Sequence, residues 1–225
     1  VTLENNGTTL TLDATTLPRH TEELGEEDVA MVKLAEWSLQ PQRDVERLEL
    51  ESPPATDAQR WSPELVNEDV RQAIKGRLAE RKPVSVRFHM HVPKPRSNET
   101  LPAQFDVFLE HHEGAALRPR FVREHLVISG VRGLSQTARI RSLVVVNSGP
   151  LADLLNAAEP PSHNDWASNT ANFQRQYKGA THVLTFVKKA VQNLIGAVRA
   201  GDEKPDASVT MDFFAVVEPD ETTPA

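Results

Sequence analysis

Any chemistry in this chain has to run through histidines, arginines and carboxylates, because it contains no cysteine. That absence removes disulfides, thiol catalysis and cysteine-ligated zinc or iron–sulfur sites together. His89 and His91 fall on one face of a strand-like segment by the period of two, and His111, His112 and His125 lie on or near neighbouring strand-like segments. Imidazoles gathered on a sheet face can ligate zinc, iron or copper, with Asp106, Glu110 or Glu124 as the carboxylate of a facial triad. His89, His91 and His111 are therefore the candidate metal ligands. No His-Glu-x-x-His pattern accompanies them, and the plainer alternative is a polar, solvated sheet face. On balance the sequence implies no bound cofactor.

The arginines are the second candidate. Between Arg118 and Arg141 stand six of them, Arg118, Arg120, Arg123, Arg132, Arg139 and Arg141, against the single acid Glu124. Arg118 with Arg120, and Arg139 with Arg141, share a face if the backbone is extended. A row of guanidiniums can grip phosphate oxygens in pairs, whether of a nucleotide or of a nucleic acid. The alternative is a set of ion pairs with acidic segments elsewhere. A formal charge of −7 weighs toward pairing, and an aromatic content of 5% leaves no stacking platform for single strands. Asn147-Ser148-Gly149-Pro150 leads from a strand into a helix start, where backbone N–H groups can hold an anion. It matches neither phosphate-loop glycine pattern, so an ordinary turn is expected there. Serine–histidine pairs can be drawn, but no Gly-x-Ser-x-Gly elbow exists, so a hydrolase triad is rejected.

The elements that would position these residues are written in the hydrophobic periodicity. Leu143–Val146 is an unbroken β-branched or aliphatic run, as in a strand buried on both faces. Val183, Val187, Ala190, Val191, Leu194, Ile195 and Val198 form one stripe of a long helix. Val84, Val86, Phe88, Met90 and Val92 alternate with Ser85, Arg87, His89 and His91, which predicts a strand. Further strands are expected over Phe105–Leu109, Phe121–Ile128, Arg139–Val146 and Val209–Val217, with His111–Gly114 as a turn. A helix is predicted from Ser62, with Pro63 at its first position, carrying Val66, Val70, Ala73, Ile74 and Leu78. Leu151–Ala158 reads as a short helix stopped by Pro160-Pro161. Thr2–Leu12 reads as a hairpin turning at Asn6-Gly7. Val29–Leu39 alternates and is assigned to a strand.

The expected fold is therefore α+β. It is a mostly antiparallel or mixed sheet of about six to eight strands, packed by two or three helices with the long helix near the C-terminus. Ser52-Pro53-Pro54 is the best internal boundary. It separates a β-rich segment over 1–52 from a main domain over 53–218, with 219–225 as a disordered tail. No apolar run is long enough to span a membrane, and no basic-then-apolar leader opens the chain. Those features and the missing cysteine point to the cytoplasm. Val1 in place of Met suggests a piece of a longer polypeptide.

One further pattern runs through the second half of the chain. Phe121–Ser129, Arg141–Val146 and Gly149–Leu155 are followed by Glu159-Pro160-Pro161-Ser162-His163-Asn164-Asp165-Trp166, Asn172-Phe173 and Tyr177-Lys178-Gly179-Ala180. Together they resemble the C-terminal region of large bacterial ATP-binding proteins. The N-terminal part of those proteins is an ATPase domain of the gyrase, chaperone, histidine kinase and MutL type. The Glu-x-x-x-Asn helix, Asp-x-Gly-x-Gly segment and glycine-rich lid of that ATPase are not in this sequence. The resemblance thus implies a piece downstream of the ATPase, which relays nucleotide state or mediates association with a protein partner or with itself. Trp166, Phe173 and Tyr177, between two chain breakers, are the residues expected to form an interface arm, the alternative being a helix packed on its own core. Phosphate or nucleic-acid binding along Arg118–Arg141 is the rival reading, and a histidine-ligated metalloenzyme is the third.

Overall fold

The computed structural model describes residues 2–5, 8–11, 26–40, 44–50, 65–124, 126–128, 130–177, 179–200 and 216–217. They fall into two compact units, Val1–Arg43 and Asp44–Ala225. In the first unit β1 (Thr2–Asn5) pairs antiparallel with β2 (Thr8–Thr11), as the sequence predicts, and the turn at Asn6-Gly7 lies outside the described residues. Helix α1 (Glu26–Ser38) occupies the segment read as a strand. The physical reason for this correction is compositional. Val29, Ala30, Met31, Val32, Leu34 and Ala35 spread apolar surface around the whole circumference, so no period of 3.6 stands out. Glu, Ala, Met, Lys and Leu nevertheless favour helix throughout.

The second unit is built on a mixed six-stranded sheet in the order β3 (Glu46–Glu49), β4 (Val84–Pro93), β5 (Thr100–His111), β9 (Ile140–Val146), β6 (Arg120–Arg123) and β7 (Leu126–Ile128). β3 runs parallel to β4, and β6 parallel to β9; the other pairings are antiparallel. β3 thus joins the main sheet from ahead of the proline stretch that the sequence marks as the boundary. β5 begins well before Phe105, and Pro102 sits inside it opposite His91. Proline is tolerated there because β9 pairs only with Asp106–His111, which leaves the start of β5 with one described neighbour. The two-residue strand β8 (Gln136–Thr137) pairs with β10 (Val216–Val217); the rest of the expected last strand, and the tail, lie outside the described residues.

Alternation sorts the sheet into two faces. Val84, Val86, Phe88, Met90 and Val92 share one face with Phe105, Val107, Leu109, Phe121 and Val144, all buried. Helices α2 (Glu68–Ala79), α3 (Pro150–Ala157) and α5 (Thr181–Arg199) contribute their buried stripes to the same core. Phe186 of α5 stands edge-on to the stacked rings of Phe88 and Phe105, with centroids 5.9 and 6.1 Å away. β9 lies between β5 and β6, so Leu143 on one face and Val144 on the other are both buried, as its apolar run demands.

α2 starts at Glu68, later than predicted. Asn67 is its N-cap and accepts a hydrogen bond from the Val70 N–H at 2.9 Å, with Glu68 and Asp69 in the first turn. Ser62 and Pro63 lie outside the described residues. Asn67→Ala is expected to cost about 1 kcal/mol, read as a lower urea midpoint at unchanged m. α3 begins after Gly149, whose φ of 134° lies where side-chain-bearing residues are strained.

Candidate functional site

Arg123 of β6 and the His163 and Trp166 side chains of the acid-Pro-x-x-His-x-x-Trp pattern converge on one buried carboxylate, Glu159. Pro160-Pro161 end α3 just after Ala158, and the chain turns so that His163 N–H donates to Pro160 O and Ala167 N–H to Ala158 O. Glu159 is thereby held inward with its side chain fully buried. It accepts from Arg123 Nε at 2.6 Å and Nη2 at 3.1 Å, from His163 Nδ1 at 2.8 Å and from Trp166 Nε1 at 3.1 Å. Trp166 in turn packs edge-on against Phe121 of β6, with ring centroids 5.3 Å apart. Burial alone would raise the Glu159 pKa. The hydrogen bonds from Arg123, His163 and Trp166 outweigh it and hold the carboxyl below its ordinary value. The Arg123 pKa is raised, chiefly by its bond to Glu159. The spaced acid-Pro-x-x-His-x-x-Trp pattern is thus a tie between the loop after α3 and strand β6.

The six candidate arginines do not form one surface. Arg123 points to the core side of the sheet, where it pairs with Glu159 and with Glu124 at 2.6 Å. Arg141 is buried on the opposite face, with Nη1 2.6 Å from Glu110 and Nη2 3.1 Å from His112 Nδ1. Arg139 does not share a face with it, because Arg139 has a φ of 58° and precedes β9. Arg118 likewise precedes β6, so only Arg120 of that pair is a strand residue. Arg118, Arg120, Arg132 and Arg139 are exposed. Pairing across the fold, the alternative weighed from the net charge, accounts for the two that are buried.

The histidines are separated as well. His89 and His91 share the face away from the helices, and His89 Nε2 lies 3.8 Å from Glu49 of β3. His111 falls on the other face, opposite Ile140, since it is in step with Phe105, Val107 and Leu109. The carboxylates proposed as co-ligands are already engaged: Asp106 with both arms of Arg87 at 2.7 and 2.8 Å, Glu110 with Arg141, and Glu124 with Arg123. Among the described residues no three histidine, aspartate or glutamate side chains are placed to hold a metal ion. His125 lies outside them. Burial, followed by the charge of Arg81, lowers the His111 pKa.

Trp166, Phe173 and Tyr177 are core residues, not an exposed arm. Thr170 caps the short helix α4 (Ala171–Gln176), accepting from Phe173 N–H at 3.3 Å and donating to Ala157 O at 2.7 Å. That anchors the segment to α3 and turns its aromatic rings inward, with Phe173 and Tyr177 6.0 Å apart. Burial, then the nearby Asp153, raises the Tyr177 pKa.

Exposed apolar surface lies elsewhere. β7 is the end strand of the sheet, and two of its three residues, Leu126 and Val127, are 39% and 51% exposed. Val122, opposite Val127 on β6, and Val145 beside it on β9 are half-buried on the same face. The sequence offered a signal here, Leu126-Val127-Ile128, but read as one long strand with Phe121 its edge position was hidden.

No protein-family model matches the chain, and no curated protein or solved structure is similar to it. Among the described residues no helix is long and apolar enough to cross a membrane.

Proposed function

We propose that this chain works by contact, as a non-catalytic α+β region of a larger bacterial ATP-binding protein of the cytoplasm, and that the contact is self-association. The observation that carries the reading is the edge of β7, which pairs with β6 alone among the described residues and bears the exposed Leu126 and Val127. An end strand presents unpaired N–H and C=O groups, and side chains such as Leu126 and Val127 are stabilised by leaving water. A second copy satisfies both needs at once. Two β7 strands paired antiparallel about a two-fold axis form a closed contact in which each copy offers the same patch. The residues of the resemblance support the same reading, because Glu159, His163 and Trp166 serve the scaffold and touch no part of the β7 edge in the contacts described above.

Sedimentation velocity across a concentration series tests this. The chain is expected to shift from monomer to dimer, and Val127→Glu, at an exposed position, to weaken that shift at least about tenfold with the fold intact. A chain that stays monomeric at the highest concentration, or a Val127→Glu dimer as strong as the parent, removes the reading. The parentage has its own check: a Glu-x-x-x-Asn helix and an Asp-x-Gly-x-Gly segment upstream of Val1 in the reading frame.

A further inference from the structure

A cleft of about 460 Å³ opens beside the first half of α5, walled by the loop that carries Arg132, by the segment after Trp166 and by the outer side of the helix. That volume is in the range of small-molecule sites. Among the described residues three cations line it, Arg132, Lys188 and Lys189, against one carboxylate, Asp165. Asp165 is already committed. Its Oδ1 accepts from Trp166 N–H at 2.7 Å and Arg132 N–H at 3.3 Å, while Lys188 and the Arg132 guanidinium each stand 3.7 Å from its oxygens. Lys188, mostly buried, is fixed further by donating to Trp166 O at 3.1 Å. One carboxylate so engaged cannot neutralise three cations, so the cleft carries a positive excess within a chain of net charge −7.

We propose that this cleft binds a small phosphoryl-bearing molecule. Phosphate oxygens only accept hydrogen bonds, and Arg132 and Lys189 bring donors with charge, supported by the hydroxyl of Ser168 and the amide of Asn169. Leu184 adds an apolar wall for the non-phosphate part of the ligand. The acidic balance of the whole chain repels an extended polyanion but not a small one held in a concave, positive site. Of the arginine row considered as a nucleic-acid surface only Arg132 lines the cleft; the exposed Arg118, Arg120 and Arg139 do not. It is independent of the β7 contact and can fail or stand without it.

Calorimetric titration of the full chain with inorganic pyrophosphate and with adenosine 5′-monophosphate, at low ionic strength, tests the proposal. Saturable binding of both is expected, with adenosine alone inert. Arg132→Ala/Lys189→Ala is expected to weaken pyrophosphate binding about tenfold or more, and Arg118→Ala/Arg120→Ala to leave it unchanged. Arg132→Glu alone, at a side chain 89% exposed, gives the same direction should the double variant not fold. No saturable binding, equal losses in both double variants, or a single-stranded oligonucleotide binding far more tightly than pyrophosphate would each overturn it.

Discussion

Glu159→Leu is expected to lower the stability of the fold by about 3–5 kcal/mol, the cost of leaving the buried Arg123 without its buried carboxylate. In a chain of this size that corresponds to a fall in Tm of roughly 6–20 °C. The carboxylate is the common acceptor for Arg123, His163 and Trp166, so its removal orphans the Trp166 indole N–H and leaves Arg123 only its bond to the half-exposed Glu124. Removing both ends is expected to be milder: Arg123→Met/Glu159→Leu should be more stable than Glu159→Leu, since no buried charge is then left exposed to an apolar neighbourhood. Urea unfolding at neutral pH measures both. A Glu159→Leu loss below about 1 kcal/mol would mean that the network is not the tie described above.

The same carboxylate sets an acid dependence. Its folded pKa lies below the ordinary 4.5, because the hydrogen bonds to Arg123, His163 and Trp166 more than offset the effect of burial. A group that holds its proton less firmly when folded contributes stability above the unfolded pKa, and that contribution fades as pH falls through the folded value. The parent chain therefore loses stability below about pH 4.5 more steeply than Glu159→Gln, which has no proton to bind.

The second large effect belongs to Phe186→Ala, expected to cost about 3–5 kcal/mol. Phe88 and Phe105 face each other across β4 and β5 with centroids 4.7 Å apart and planes 4° from parallel, and Phe186 closes the cluster edge-on. All three are buried, so truncation leaves a cavity where helix α5 meets the sheet. Phe186→Leu should lose less, and Phe88→Ala/Phe186→Ala should depart from additivity by about 0.5–1.5 kcal/mol, the coupling of an aromatic pair. Thermal and urea unfolding report each value. Additive losses would place the three rings in separate environments.

The parts of this fold legible in the sequence are those where burial writes a regular pattern. The alternation from Val84 to Val92 and the stripe from Val183 to Val198 follow from burial of one face, and the unbroken apolar run of Leu143–Val146 follows from burial of both. Where a segment carries neither pattern the reading fails. α1 spreads its apolar residues around the helix and mimics alternation, and β5 runs through Pro102 where β4 is its one described neighbour. The site residues were harder for a related reason. Periodicity places a side chain on a face only if the backbone stays extended, and Arg139 and Glu124, with φ of 58° and 54°, break that assumption between strands. Pairing partners such as Arg123 and Glu159 are 36 residues apart, and only the topology, with β6 beside β9 and α3 following it, brings them together. Trp166, Phe173 and Tyr177 looked like interface anchors for the same property that makes them good core: large apolar area, with a polar tip on Trp166 and Tyr177.

The central claim, that the end strand of the sheet is a contact surface for a second copy, is tested most directly by amide hydrogen exchange at Leu126–Ile128 over a concentration series. Exchange at the outward N–H groups of β7 should slow as concentration rises and stay fast in Val127→Glu, while the hairpin loop between β4 and β5 remains unchanged as an internal reference. Exchange at β7 that is the same at every concentration would contradict it.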